Sequence, residues 1–203
     1  MKRPLWGIAL LLAAAACGGE TDNVVVRASL GPGGTQPVAD LPIRLLPYDR
    51  RAILDSLGAE DDSPLPKFPA DAMERLRMLQ AEATRVKPRG DSAAARVAAQ
   101  RRVLMAQLDS VRKARDKWLE DRREDFEAAV KERTTNTGAT EHTDTTDAQG
   151  RASFAVDPGR WYAVSRYVLP DAVLEWQVRV NAEKSDSSMV RLTRQNAREE
   201  PFF

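Results

Sequence analysis

Hydrophobic and polar positions alternate near both ends of the chain and recur at helical spacing between them. Val24, Val25 and Val26 begin the first predicted strand, which extends to residue 30. A second extended segment covers residues 37–48, and its prolines suit an edge strand or a strand end. The pattern therefore predicts two strands before the first helix.

The middle of the chain repeats apolar residues at steps of three and four, as helices with one buried face do. A short helix is predicted after the capping residue Asp49 and ends near Gly58. Two further helices, at residues 71–86 and at about 92–133, form an antiparallel hairpin in which the longer one overhangs. The overhanging half of the longer helix must pack its apolar side against another surface. The side chains predicted to form that surface are Ile53, Leu54, Leu57, Leu65 and Phe68.

The last third of the chain returns to alternation, which predicts strands at residues 151–156, 161–168, 174–180 and 187–193. Asp147 and Gly150 bracket a tight turn. The Pro158-Gly159 pair makes another turn, so the strands on either side of it are expected to be antiparallel neighbours. Residues 196–203 have no periodicity and are predicted to be a flexible tail.

Strands at both ends with helices between them predict an α+β fold. The β domain consists of residues 24–48 and 134–195, and residues 49–133 form a helical insertion of a short helix, a linker and a hairpin. Because both parts of the β domain must pack together, the ends of the insertion near Tyr48 and Thr134 are expected to lie close in space.

The N-terminus has the layout of an export signal, with Lys2 and Arg3 before an apolar run at residues 5–16. This run is too short to span a bilayer alone, which takes about 20 apolar residues. The only cysteine in the chain, Cys17, follows a run of four alanines, and the last three of them form with it the tetrapeptide Ala14-Ala15-Ala16-Cys17. This tetrapeptide resembles the lipobox of bacterial lipoproteins.

The lipobox resemblance implies that residues 1–16 are a signal peptide and that Cys17 is lipidated as the first mature residue. Residues 17–23 then form a short tether to the membrane. The residue after the cysteine is Gly18 rather than an aspartate, and in this respect the chain resembles lipoproteins that are exported to the outer membrane. We therefore expect an outer-membrane lipoprotein of the cell envelope that faces the periplasm. The alternatives are an ordinary secretory signal or a short uncleaved anchor, in which Cys17 is incidental.

Two stretches of the β segments carry a second resemblance. They are QPVADLPIRLLP at residues 36–47 and TDTTDAQGRASFAVDPGRWYAV at residues 143–164. Together they resemble the carboxypeptidase regulatory-like or transthyretin-like family, which implies an antiparallel β-sandwich and a non-catalytic role. That family joins the two pieces by a short connection, whereas this chain inserts a long α-helical hairpin.

The 31 basic and 30 acidic residues give a net charge of +1, which predicts no general attraction to nucleic acid. On the long helix the two signs are interleaved. The expected i,i+4 ion pairs are Arg112 with Asp116, Lys117 with Asp121 and Arg123 with Glu127.

Few residues suit catalysis or metal binding. His142 is the only histidine, so neither a catalytic triad nor a zinc site of the usual kind can be assembled, and no pair of carboxylates stands out as a hydrolase site. Asp144 and Asp147 lie among threonines, where they either bind calcium or accept backbone N–H bonds, and the second interpretation is preferred. We therefore predict no enzyme, cofactor or metal site, and Cys17 as the one modified residue.

The predicted role is that of a structural or protein-interaction module, with the hairpin either as a passive stalk or as the arm that binds an envelope protein. The alternative is a carbohydrate- or peptidoglycan-binding module that uses the sandwich loops. It would need exposed aromatic rings, whereas the strand patterns place four rings in the core: Trp161, Tyr162, Tyr167 and Trp176. An adaptor of an export system would also need lipoyl-like halves, which the sequence does not show.

Overall fold

The structure is a computed structural model that describes residues 22–86, 91–183 and 187–201. The predicted signal peptide, Cys17 and most of the tether lie outside the described residues, as do the hairpin turn at 87–90 and residues 202–203. The fold is mixed α and β, as predicted. Within the described residues, no helix is both long and apolar enough to span a membrane.

The first sheet is built around its longest strand. Its members are β1 (Asp22–Leu30), β2 (Gln36–Pro37), β5 (Arg151–Val156) and β8 (Ser187–Leu192). Strand β1 pairs antiparallel with β5 and parallel with β8, so that Val24 lies opposite both Phe154 and Ser188. The short β2 pairs with the end of β1. Strand β1 is therefore an interior strand with partners on both sides.

The second sheet is antiparallel throughout and has the order β4-β3-β6-β7-β9. Its members are β3 (Pro42–Leu46), β4 (His142–Thr145), β6 (Gly159–Val168), β7 (Ala172–Ala182) and β9 (Arg198–Pro201). The prolines of the second predicted segment stand at strand ends, since Pro37 ends β2 and Pro42 begins β3. This agrees with the missing N–H group of proline.

The inner faces of the two sheets share one buried core, which is the arrangement of a two-layer β-sandwich. From the first sheet, Val24, Val26 and Phe154 enter this core. From the second, Ile43 and Trp176 do so, with 0% and 1% of their surface exposed. The alternation read from the sequence thus corresponds to one face of each strand.

All four helices lie between β3 and β4 in the chain: α1 (Arg50–Glu60), α2 (Ala72–Val86), α3 (Asp91–Asp121) and α4 (Arg123–Thr137). Helices α1 and α4 cover the outer face of the second sheet, where Leu46 and Tyr162 are buried against Ile53 and Phe126. The ends of the insertion are adjacent because β3 and β4 pair, with Leu45 opposite His142. The helical insertion is therefore rooted in neighbouring strands, as expected.

The prediction of one long helix at residues 92–133 is wrong, because it is broken at Arg122. Arg122 has φ −109° and ψ 13°, outside the helical region. The residues before the break pack against α2, whereas those after it pack against α1 and the sheet. The second helix extends to Thr137 and is ended by Gly138 at φ 66°, so the β domain resumes after residue 137 rather than at 134.

The expected hairpin between residues 151–156 and 161–168 is also wrong. Strand β5 belongs to the first sheet and β6 to the second, so the chain crosses between the layers at Asp157 and Pro158. The indole N–H of Trp161 donates to the carbonyl of Asp157 at 3.0 Å and fixes this corner. The Pro158-Gly159 pair predicts that the chain turns, but it does not determine which sheet the next strand joins.

The tail is ordered rather than flexible up to residue 201. Residues 198–201 form β9, in which Glu200 pairs with Val173 of β7, and both Glu200 and Pro201 are buried. The segment has no apolar alternation, and its two glutamates, Glu199 and Glu200, pair with Arg77 and Arg115 of the helical insertion. An ordinary hydrophobic pattern could not have identified this strand.

Candidate functional site

Helix α2 and residues 91–108 of α3 form an antiparallel helical arm. Its seam joins Leu76 and Leu79 of α2 to Leu104 and Leu108 of α3, which are 1% and 0% exposed. Towards the turn, Ala83 lies beside Val97. The apolar residues that recur at heptad-like spacing in the sequence thus form the contacts between the two helices.

A groove runs along one side of the helical arm and is defined by two adjoining cavities of about 630 and 520 Å³. The first lies beside Ala83, and its lining residues on α3 recur every three or four positions: Ala94, Val97, Ala98, Arg101, Arg102 and Met105. The second shares Arg101 and Met105 with the first and extends past Arg77, which is paired with Glu199, to Pro170 and Asp171 in the β6–β7 loop. This arm groove therefore has an apolar floor and an arginine rim.

The rim arginines are not neutralised within the described chain. Arg101 and Arg102 are exposed, and no carboxylate of the described residues pairs with either. Of the described residues between 78 and 106, four are basic and two are acidic. Both Arg101 and Arg102 line the arm groove, so this part of the groove attracts negative charge.

The helical arm is joined to the second sheet by ion pairs with β9. Arg77 of α2 donates to Glu199 at 2.5 Å, and the guanidinium of Arg115 on α3 lies 3.2 Å from the carboxylate of Glu200. Both arginines reach successive residues of the same strand. The ion pairs thus set the position of the arm relative to the sheet.

Asp144 and Asp147 act on the backbone. Asp147 accepts the N–H groups of Gln149 and Arg151 at 2.9 and 2.8 Å, and the N–H of Gly150 bonds its carbonyl, which is the predicted turn. Asp144 accepts the N–H of Thr145 at 2.8 Å. Among the described residues, no three histidine, cysteine or acidic side chains are grouped as metal ligands would be.

Of the four aromatic side chains expected in the core, Trp161 and Trp176 are buried in the sandwich core, whereas Tyr162 is buried on the outer face of the second sheet beneath α1 and α4. Trp161, Tyr162 and Trp176 are 3%, 9% and 1% exposed, and Tyr167 packs against the core from a partly buried position. The indole N–H of Trp176 donates to the carbonyl of Thr193 at 2.8 Å. The rings of His142 and Trp161 form a T-shaped pair with a centroid distance of 5.4 Å. The rings of Trp161, Tyr162 and Trp176 therefore offer no exposed stacking surface for a sugar.

Sequence reasoning named the hairpin but missed the arm groove. Its signal was a run of small residues on α3, where five alanines occur between positions 93 and 99. Small side chains leave space between two helices that larger ones would fill. Of the predicted ion pairs, Lys117–Asp121 and Arg123–Glu127 form, whereas Arg112 bonds Asp109 one turn earlier.

No protein-family model matches this chain, and neither does any curated protein or solved structure in the comparisons.

Proposed function

We propose that the protein is a lipid-anchored cell-envelope protein whose helical arm binds a protein partner. Its two sheets are proposed to be a transthyretin-like sandwich, supported by the shared core and by the quoted sequence motifs. The lipobox-like segment ending at Cys17 supports the anchor and an outer-membrane, periplasm-facing location. Strand β1 begins five residues after Cys17, so the folded body stays near the bilayer and the arm provides the reach.

The arm groove is the observation that carries this proposal. From Ala94 to Met105 it follows twelve residues of α3, whose eleven steps span about 17 Å, which matches about three turns of a helix. An apolar floor favours the apolar face of a docked helix, and Arg101 and Arg102 favour acidic residues at its sides. The partner is therefore an acidic amphipathic helix of another envelope protein.

A pair of neighbouring alanines provides a matched test. Ala98 lines the arm groove, whereas the adjacent and equally exposed Ala99 does not. The probe is a fluorescent helical peptide with leucines at i, i+3, i+4 and i+7 and glutamates beside them. We expect Ala98→Glu to weaken binding about tenfold or more, because it puts a charge in the apolar floor and repels the acidic probe. Ala99→Glu should leave the anisotropy titration unchanged.

The charge requirement is tested by a second probe in which lysines replace the glutamates. If the lysine peptide binds as tightly as the acidic one, or if Ala99→Glu weakens binding as much as Ala98→Glu, the proposed docking mode is wrong.

In cells, a photoreactive residue at position 102 should crosslink to an envelope protein, whereas the same residue at position 99 should not. Intact-protein mass spectrometry tests the anchor, since an unmodified Cys17 in an uncleaved chain would contradict it.

A further inference from the structure

A second charged cavity lies on the outer face of the second sheet, beside the start of α1. Its volume is about 410 Å³, within the range of small-molecule sites. Four arginines line it: Arg44 of β3, Arg50 and Arg51 of α1, and Arg166 of β6. The only acidic residue in its lining is Glu175 of β7. The cavity is therefore strongly basic.

Two of the four arginines are already neutralised. Arg44 donates to both carboxylate oxygens of Glu141, at 2.5 and 2.8 Å. Arg166 lies 3.8 Å from Glu175. Arg50 and Arg51 have no carboxylate partner among the described residues. Two positive charges in the lining therefore remain uncompensated.

Arg50 is the more informative of the two because it is partly buried. Its guanidinium lies over the Phe126 ring, 5.8 Å from the ring centroid. Burial lowers the pKa of Arg50, Glu175 opposes this change, and Arg44 adds to it. A guanidinium that loses water without gaining a carboxylate is costly, so an anion supplied from solution would stabilise it.

The first turn of α1, which carries Arg50, is held in place before any ligand arrives. Asp49 caps α1 by accepting the N–H of Ala52 at 2.9 Å. The same Asp49 oxygen accepts a bond of 2.6 Å from the side-chain amide of Gln177 on β7. The first turn of α1 is thus tied to the sheet beneath the cavity. Such preorganisation lowers the cost of ordering the site on binding.

We propose that this cavity is a binding site for a phosphate monoester. A phosphate monoester carries about −1.5 to −2 charges at neutral pH, which matches the two uncompensated arginines better than a single carboxylate does. Guanidinium groups also bind phosphate oxygens in pairs. The cavity is larger than a phosphate, so it accommodates part of the organic group as well. This site is separate from the arm groove, and its occupancy does not depend on a protein partner.

The test is isothermal titration of the full chain with inorganic phosphate and with glycerol 3-phosphate, with acetate as the comparison anion. We expect both phosphates to bind more tightly than acetate. Arg50→Gln and Arg51→Gln should each weaken phosphate binding about tenfold or more, because each removes a charge-assisted contact. Arg160→Gln removes the same charge from an exposed position outside the cavity and should have no effect.

Arg51 is exposed, so its substitution tests the site even if Arg50→Gln disturbs the fold. The proposal is overturned if acetate binds as tightly as phosphate, or if Arg160→Gln weakens binding as much as Arg51→Gln. Equimolar phosphatidylcholine and phosphatidic acid vesicles distinguish the two sources of the ligand. Arg51-dependent binding to these vesicles identifies a lipid headgroup, whereas binding of glycerol 3-phosphate alone identifies a soluble ester.

Discussion

Two successive glutamates on β9 have opposite pKa shifts because they face different surroundings. Burial raises the pKa of Glu200, and the nearby Glu175 raises it further, against the effect of Arg115 and Arg198. The guanidinium nitrogens of Arg115 and Arg198 lie 3.2 and 3.1 Å from one Glu200 oxygen, but neither contact has hydrogen-bond geometry. Burial also acts on Glu199, but hydrogen bonds from Arg194 and Arg77 lower its pKa overall.

We predict opposite pH dependences for Glu199→Gln and Glu200→Gln. A raised pKa means that Glu200 stabilises the fold most below its ordinary value of 4.5 and loses this contribution as the pH rises through the raised value. A lowered pKa means that Glu199 stabilises the fold above 4.5 and loses its contribution as the pH falls through the lowered value. Urea unfolding from pH 3 to 7 measures both.

Relative to the wild type, the free energy of unfolding of Glu200→Gln should therefore rise with increasing pH, and that of Glu199→Gln should fall. The two variants serve as controls for each other, since each removes one carboxyl from the same strand. If the free energies of unfolding of the two variants changed with pH in the same direction, the opposite pKa shifts of Glu199 and Glu200 would be wrong.

At the scale of elements, the junction between α3 and α4 is held by the linker that follows α1. The indole N–H of Trp118 donates to the carbonyl of Ser63 at 2.7 Å. Arg122 pairs with Asp61 at 2.9 Å and lies over the Trp118 ring, 4.6 Å from its centroid. The linker thus crosses the point where the helix breaks and joins the two packing units of the insertion.

We expect Trp118→Ala to lower the free energy of unfolding by about 3–5 kcal/mol, because it empties a site that is only 5% exposed. Trp118→Phe keeps most of the apolar contact but loses the bond to Ser63, so its cost should be about 1–3 kcal/mol. Lys117→Ala is the control, since its side chain is 75% exposed and pairs only with Asp121, and it should change stability by about 0.5 kcal/mol or less. Denaturant unfolding compares the three, and equal losses in all of them would contradict the linker's role.

The elements that sequence predicted well are those whose own residues determine them. The cap at Asp49 and the Asp147–Gly150 turn rest on local hydrogen bonds and form as expected. At the helix break, Arg122 pairs with Asp61, which is sixty-one residues away, and no local pattern contains this contact. Strand β9 similarly owes its place to pairing with β7 and to arginines of other elements.

At the scale of the whole molecule, the sequence pattern placed the helices between two groups of strands, but it did not assign each strand to its sheet. The assignment of β5 and β6 to different layers depends on partners far along the chain. The arm groove and the arginine cavity were hidden for the same reason, since each joins side chains from several elements. The composition shows almost equal numbers of basic and acidic residues, whereas the fold gathers arginines in the lining of the arm groove and of the arginine cavity.

Two deletions should separate the role of the helical arm from that of the helices that cover the sheet. Replacing residues 79–102 by a short Gly-Ser linker should leave the sheets folded, because Leu104 and Leu108 keep Ala72 and Leu76 as partners. Replacing residues 49–137 exposes Leu46 and Tyr162, which should cost about 3 kcal/mol or more. Circular dichroism and urea unfolding measure the outcome, and equal stability of the two deletion variants would contradict the covering role of α1 and α4.

The interior position of β1 has a mechanical consequence. A pull on its first residue, directed along the strand away from the fold, loads the antiparallel ladder with β5 and the parallel ladder with β8 at once. Six residue pairs on each side resist together, in shear rather than one after another as in peeling. A protein held by its N-terminal end would thus bear tension at that end through a strand that is paired on both sides, rather than through a strand at the edge of a sheet.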